Sequence, residues 1–576
     1  MKAMLFTALL LTTAVSRAQR VQETTNGSWN NPNLSVENWN LRNWIIAGTT
    51  ETGPTGLCPV FKFTDPALVP IGLPPLPTYR TVFATGKTLN DFTVNQNTGE
   101  LILTGTDPIS ATGAPMNMYI TVVNAPSGAV GASVRVLVPS PVSVSMIPHQ
   151  IIYSQTSNQY VVVGTKITGV LTNTNFATIQ KTGFMLIVNA APPFAVVNLI
   201  ETNTPSVAGG NDSDMLESVT EIPNYGYFAG GSANGFATPG EQNLMVMNAN
   251  YAGVAGGSCI MDNTNSRSRV ASVMHNPSTN QVIVLSNTSN FNNYELVKFN
   301  SIAVTPVFPA VRHTISCLPT ASVANGFRLQ QNTAGTQVIV GGYAWNPAAG
   351  PTLTPFQTTT NPGLGTFISA KIFPSANASP LTGYYNESGA PSFINTPDML
   401  SYHANSNRTF LVNPSTNVGF DMLRSLPTGA SPCETACQFT AASAQWPVAQ
   451  NTVAFTNLTP TLPTLGASFA SRSLMHTVLC SAAAAAPVEN EITADQTMTV
   501  SLFPNPAHNQ LEIYAEAQLT EATIYDLNGS AVLKSFNTEN ARGTLLIDIS
   551  ALKPGVYVVL LKSKDGLVQR ERFVKE

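Results

Sequence analysis

At 576 residues the chain is too long for one ordinary hydrophobic core, so two or more domains are expected. Hydrophobic residues make up 43% and charged residues only 10%, against a usual charged share of about 25%; this excludes wholesale disorder and leaves Asn, Thr, Ser, Gly and Pro to build turns and short strands. Residues 1–487 hold 19 basic and 19 acidic side chains and residues 488–576 hold 8 and 12, so the whole net charge of −4 sits in the tail, a domain boundary falls near 488, and no basic patch invites nucleic acid.

The chain opens as a secretory signal peptide. Met1-Lys2 is a short basic start, Ala3–Val15 is apolar, and Ser16-Arg17-Ala18 puts small residues where a signal peptidase inspects them, so cleavage is expected after Ala18. The apolar run is shorter than the ~20 residues that span a bilayer, and no later stretch is long and apolar enough to be transmembrane. Cysteines at 58, 259, 317, 433, 437 and 480 are scattered; export permits disulfides, Cys433–Cys437 being a candidate loop pair, and the connectivity stays open.

Residues 19–482 carry a repeated hairpin signature. Strand-forming runs end in a small residue at Trp44–Thr49, Leu101–Thr106, Tyr160–Thr165, Tyr227–Ser232, Val282–Asn287, Val338–Tyr343 and Thr409–Pro414. Aligned on the fifth position they fall at 48, 105, 164, 231, 286, 342 and 413. An earlier strand and an Asn/Gly/Ser/Thr turn precede most copies, as in FTVNQNTGE before Leu101. Partner strands are expected downstream at Val60–Phe63, Met118–Val123, Phe184–Val188, Leu244–Met247, Leu296–Phe299, Phe367–Ile372 and Val418–Leu423. A sheet of three or four short strands cannot bury both faces alone, whereas radial packing of copies does so. The expected architecture is all-β, a seven-bladed β-propeller with Ser468–Cys480 supplying the strand that closes the ring against the first blade; stacked β-sandwiches are the alternative. The units loosely resemble Kelch and related propellers but lack a double-glycine or Trp-Asp signature, so no family activity carries over.

An Ala/Pro/Glu-rich linker at 483–497 leads to seven closely spaced strands: Met498–Phe503, Leu511–Tyr514, Ala522–Tyr525, Val532–Ser535, Leu545–Ile549, Val556–Leu561 and Val568–Val574. They describe a small antiparallel β-sandwich over 498–576. Pro504 and Pro506 bound a strand, Asn528-Gly529 suits a hairpin turn, and Pro554-Gly555 suits a type II turn with glycine at positive φ. Four ordered motifs resemble the type A C-terminal sorting domain of type IX secretion. They are Pro504-Asn505-Pro506; Tyr525 and Asp526 with Gly529; Leu552 with Gly555 and Tyr557; and Arg572-Phe573-Val574-Lys575. The resemblance implies the type IX secretion machinery as partner, removal of the tail, and arrival in the medium or at the outer surface with lipopolysaccharide as a possible anchor.

The body offers little recognisable chemistry. No H-E-x-x-H, G-x-S-x-G or phosphate-binding loop is present. His149, His275, His313, His403 and His476 lie in separate units, as surface or strand-end residues or converging on an axis. Asp212, Asp214 and Glu217 either wrap a calcium ion, the one cofactor suggested, or form a solvated acidic loop. Among the tryptophans, Trp345 follows a strand within an Asn/Pro/Gly-rich loop and is the candidate to stack on a sugar ring. Two readings stay open: a non-catalytic binding or adhesion module for a glycan or protein ligand, favoured by sparse charge, and a propeller enzyme acting on polysaccharide.

Overall fold

In the computed structural model every regular element among the described residues is a β-strand. Described are the strands from Gln19 to Lys575 and most turns between residues 89 and 372. Residues 1–18, 373–399, 482–499 and the shorter connections lie outside, and for residues 19–86, 400–438 and 466–481 only the backbone course is described. The chain divides into two compact units, Met1–Ala484 and Ala485–Glu576.

Among the described residues the first unit contains seven antiparallel sheets, six of them built on meanders of four consecutive strands. The first sheet comprises Leu34–Trp39, Asn43–Gly53, Gly56–Thr64 and Tyr79–Val82. The second comprises Asp91–Asn95, Glu100–Thr106, Met118–Asn124 and Val130–Val136. The third runs through Val144–Ser154, Gln159–Thr168, Lys181–Asn189 and Val196–Asn203. The fourth runs through Met215–Ile222, Gly226–Asn234, Gln242–Asn250 and Ala255–Met261. Ser268–Asn276, Gln281–Thr288, Asn293–Asn300 and Pro306–Ile315 make the fifth. Val323–Gln331, Val338–Trp345, Leu353–Thr360 and Phe367–Ile372 make the sixth. In the seventh, Leu400–His403, Arg408–Ser415 and Gly419–Arg424 pair in order, and Gln19–Thr24 from the far end of the chain adds the fourth strand.

The first strand of each sheet touches the first strand of the next, from the first sheet through the seventh and back again. The sheets therefore form a closed cycle with their first strands innermost. Packing follows from the same arrangement. Tyr160 and Val162 join a core shared by the second and third sheets, while Val161 and Val163 of the same strand join one shared by the third and fourth. Successive side chains on a strand point to opposite faces, and here both faces are covered. That is why Tyr160–Val163 reads as an unbroken apolar run rather than an alternation.

Each signature run of the sequence forms the second strand of a sheet, in all seven. Its small fifth residue has a steric cause. The first strand bulges toward it between Pro148 and Gln150 in the third sheet and between Leu216 and Ser218 in the fourth. A Cβ on Gly164 would run into the carbonyl oxygen of Ile147 and the Phe184 ring, and one on Gly231 into the carbonyl oxygen of Met215. The turns from first to second strand also share a device, a residue in the left-handed region: Gly99, Asn158, Asn224, Asn280 and Gly335.

Two expectations are corrected. In the sixth sheet the third strand is Leu353–Thr360, and Phe367–Ile372 is the fourth. Pro351, Pro355 and four threonines disguise Leu353–Thr360 as loop, although Phe356 and Thr358 are fully buried. Gln19–Thr24 is the fourth strand of the seventh sheet, while Phe469–Arg472, within the expected closing stretch Ser468–Cys480, does pair with the first sheet but as its outer fifth strand.

That outer layer is a strap. Thr435–Ala436 pairs with the last strand of the sixth sheet, and Phe439–Ala444 with the last of the fifth. The amide of Val453 bonds to Ser258 Oγ of the fourth at 2.9 Å, and Ala454–Leu458 pairs with the third. Thr461 and Thr464 bridge to Leu137 and Val134 of the second. Phe469–Arg472 then joins the first sheet, and Met475–Ser481 pairs with Gln19–Thr24 of the seventh. The chain thus revisits every outer edge in descending order before the body ends.

In the second unit the seven strands are Val500–Phe503, Gln510–Ala515, Leu519–Tyr525, Ala531–Phe536, Thr544–Asp548, Gly555–Ser563 and Val568–Lys575. The first, second and fifth form one antiparallel sheet and the other four a second. Leu511, Ile513, Leu545 and Ile547 of one sheet share a core with Ile524, Val559, Leu561 and Phe573 of the other. Gly555 has φ +159°, near-extended backbone opening a strand rather than the turn geometry expected of it.

Two substitutions test this packing by denaturant unfolding. Gly164→Ala is expected to lower body stability by about 1–3 kcal/mol, since neither backbone nor ring has room to yield. Phe573→Ala is expected to cost the tail about 3–5 kcal/mol, for Phe573 is fully buried and stacked on Tyr557 at 5.7 Å.

Candidate functional site

The innermost strands are sheet edges, and an edge presents backbone groups without a ladder partner. Here side chains from the preceding sheet meet them. Asp91 Oδ2 accepts the amide of Ile151 at 2.8 Å, and Gln150 Oε1 that of Val219 at 2.7 Å. Ser218 Oγ accepts from Val273 at 3.0 Å, and Ser272 Oγ from Leu329 at 3.1 Å. Asp91, Gln150, Ser218 and Ser272 occupy one equivalent place, opposite Thr104, Val163, Gly230 and Leu285. The sequence reading missed this position. Its signal was a polar residue facing the position just before the small fifth residue, visible only once the bulge fixes the register.

Just before it stand the bulged residues His149, Glu217, Ala271 and Phe327. They mark the end of the body that carries the longer connections, such as 107–117, 169–180, 204–214 and 262–267. The opposite end has short turns such as 155–158 and 277–280. Long loops on a rigid frame are where binding residues gather. Side-chain charge gathers there too. His149 Nδ1 lies 3.3 Å from Glu217 Oε2, with His149 Nε2 3.3 Å from Thr165 Oγ1. Lys166 Nζ and Thr182 Oγ1 both reach Glu201 Oε1 at 2.6 Å. Arg312 grips Glu295 through Nε at 2.7 Å and Nη2 at 2.6 Å. Lys87 pairs with Asp107, which also accepts from Asn117 at 3.0 Å. A cleft of about 390 Å³ opens at this end, lined by Pro115, Asn117, Val136, Val138 and Met146 with Thr461 of the strap.

The described carboxylates of the body are all engaged within the fold. Besides those above, Asp214 accepts from the amide of Thr204 at 2.9 Å and from its hydroxyl at 2.5 Å. Glu221 accepts from Ser154 at 2.8 Å and Tyr251 at 2.9 Å, and Glu100 from Thr98 at 2.9 Å. Of the proposed calcium trio, Asp214 therefore faces Thr204 while Glu217 faces His149, and Asp212 lies outside the described residues. Among the described residues no group of three or more His, Cys, Asp or Glu is placed to hold a metal.

The described histidines do not converge. His149 is midway along one first strand, His275 is near the turn end of another, and His313 is in a fourth strand; His403 ends the first strand of the seventh sheet and His476 is in the strap, both with side chains outside the described residues. His313 is fully buried, 2.8 Å from the Leu364 carbonyl oxygen and 3.2 Å from Tyr294 Oη, and burial pulls its pKa down to about 4. Cys259 is a free buried thiol whose pKa burial pushes up to about 11, which leaves it inert. Trp345 is the last residue of its strand rather than in the loop beyond, opposite Val323 and Leu353; its side chain is outside the described residues. So are Cys433, Cys437, Gly529 and the cleavage site at Ala18.

In the tail the first and last motifs meet. Asn505 accepts the amide of Val574 at 2.9 Å and donates to the carbonyl of Arg572 at 3.2 Å. Ala507, one residue past Pro506, bonds backbone to backbone with Val574 and Glu576 at 2.8 and 2.9 Å. Tyr557 donates to the carbonyl of Lys553 at 2.8 Å and stacks on Phe573, so the third motif braces the fourth. Tyr525 ends its strand with Asp526 just beyond; Leu552 packs against the core, and Lys575 is buried at the close.

Residues 501–576 match the family of the secretion system C-terminal sorting domain. The tail is thus a sorting domain that addresses the chain to the type IX secretion machinery for export, and the body has no assigned family. No curated protein matches the chain. Solved structures similar to it include a periplasmic gluconolactonase from Pseudomonas aeruginosa, 10% identical, covering 77% of this chain and 99% of that one at a TM-score of 0.37. An oligogalacturonate lyase in complex with manganese is 10% identical, with 72% and 94% covered and a TM-score of 0.38. An alpha-L-arabinanase from Penicillium chrysogenum is 12% identical, with 57% and 94% covered and a TM-score of 0.34. Likenesses this weak say nothing about what this chain binds or turns over. Among the described residues no helix is long and apolar enough to cross a membrane.

Acid should expose the buried His313. Its pKa is about 4 folded and about 6.5 unfolded, so the unfolded chain takes the proton first as pH falls below 6.5. Body stability is expected to drop by about 3 kcal/mol between pH 7 and pH 4 from this group. His313→Gln should be less stable at pH 7 yet lose less on acidification, read from urea midpoints at both pH values.

Proposed function

We propose that this is exported cargo in which a signal peptide ending at Ala18 is removed and the body is a seven-bladed β-propeller joined to a β-sandwich tail. The body acts as a non-catalytic binding or adhesion module for a glycan or protein ligand, held at the long-loop end. The proposed destination is the medium or the outer surface, with lipopolysaccharide as the anchor in the second case. One observation carries the choice of binding over turnover: the described carboxylates of the body are held by lysine, arginine, histidine, hydroxyl or backbone partners within the fold. Acid–base work on a glycosidic bond asks for two carboxyl groups facing a common space. Calcium at Asp212, Asp214 and Glu217 would compete with the contacts that Asp214 and Glu217 already make, so this reading draws on no metal.

A polysaccharide-active enzyme is the second reading, favoured by the buried His149–Glu217 pair across two innermost strands. The mature chain, applied to a glycan array with product release assayed on every hit, separates the two. Retention without product is expected; product formation that Glu217→Gln abolishes would reverse the conclusion. The export reading is tested in the native host by a chain ending at Ala494, which should fail to reach the medium or the surface.

A further inference from the structure

We propose that residues 435–481 are a latch over the strand that completes the seventh sheet, the last element to attach and the first to leave. Gln19–Thr24 lies between Gly419–Arg424 and Met475–Ser481, with Gln22 opposite Asp421 on one side and Thr477 on the other. Both neighbours come from the end of the body, so this N-terminal strand has no ladder partner among the described residues until synthesis has passed nearly the whole propeller. The two sides differ in kind. Gly419–Arg424 belongs to a meander that forms locally with Arg408–Ser415. Met475–Ser481 is the last stretch of a strap that touches the outer edges of the other six sheets first.

The order of contacts makes the strap directional. From its beginning it meets the sixth sheet, then the fifth, fourth, third, second and first, and only then the strand that completes the seventh. Attachment from Thr435 onward shortens the free chain step by step, so each later pairing closes a smaller loop and costs less entropy than it would alone. Peeling from Ser481 runs the other way and uncovers Gln19–Thr24 before any other edge. That strand is short and lies directly beneath the end of the latch, and short terminal pairings are the ones that open locally. Met475–Ser481 pairs with Gln19–Thr24 backbone to backbone along the whole of that strand. The outer edge of Gln19–Thr24 therefore stays bare until residue 481 is available, immediately ahead of the linker to the sorting domain.

Hydrogen exchange on the full mature chain tests the latch. Consecutive prolines, Thr477→Pro with Val478→Pro, remove an inward amide whichever of the two faces the ladder. Exchange over Gln19–Thr24 is expected to rise at least about tenfold while Ser268–Asn276 stays protected. Thr440→Pro with Ala441→Pro, near the start of the strap, should speed exchange in Pro306–Ile315 and leave Gln19–Thr24 protected. Unchanged exchange over Gln19–Thr24 in the first variant, or equal loss in both, overturns the proposal. Should the proline chains not fold, Gln22→Cys with Thr477→Cys joins register partners. The oxidised form should unfold at least about tenfold more slowly than the reduced form, since the barrier then includes breaking the latch; equal rates overturn it.

Discussion

The body depends on one constraint: a backbone amide or carbonyl taken from water must find another partner. A short sheet packed between two neighbours has two edges, and each edge exposes a row of such groups. This chain answers at the inner edge with side chains and at the outer edge with main chain. Asp91, Gln150, Ser218 and Ser272 each reach forward to an amide of the next innermost strand. The strap supplies the outer partners. What remains between the edges is apolar and shared pairwise between sheets, so neither layer is decoration on a core that would stand without it.

Local chemistry made the second strands legible. Val161–Val163 and Val282–Val284 are β-branched runs buried on both faces, and the glycine after Val163 marks where the first strand bulges across. Asn and Gly at left-handed turn positions placed the hairpins. Leu353–Thr360 was hidden because its burial rests on threonine and one phenylalanine, a pattern that alternation rules do not separate from loop. The strap was hidden for a different reason. Phe439–Ala444 and Ala454–Leu458 are short and weakly apolar, and their partners lie far away in sequence, which no local reading can supply. In the tail the strands follow closely and pair within one small core, so their order was readable, although the contact of Asn505 with Val574 was not.

The candidate site was less legible than the fold. Charge in the body is sparse, and the sequence invites a search for acids that act together. The structure instead spends Glu201, Glu217 and Glu295 on bonds to Lys166, His149 and Arg312 at strand ends. The carboxylates of these pairs are buried, so removing a partner strands a charge in a dry place. His313 shows the same economy: an imidazole kept neutral by burial is packing material with a hydrogen bond.

One feature of the pairing bears on chain order. Gln19 stands directly opposite Ser481, so the two ends of the body's polypeptide emerge side by side. The architecture is accordingly indifferent to where its covalent beginning lies. A few residues bridging Ser481 to Gln19, with new termini cut into an exposed turn such as 277–280, would give a circular permutant that keeps every strand pairing of the body.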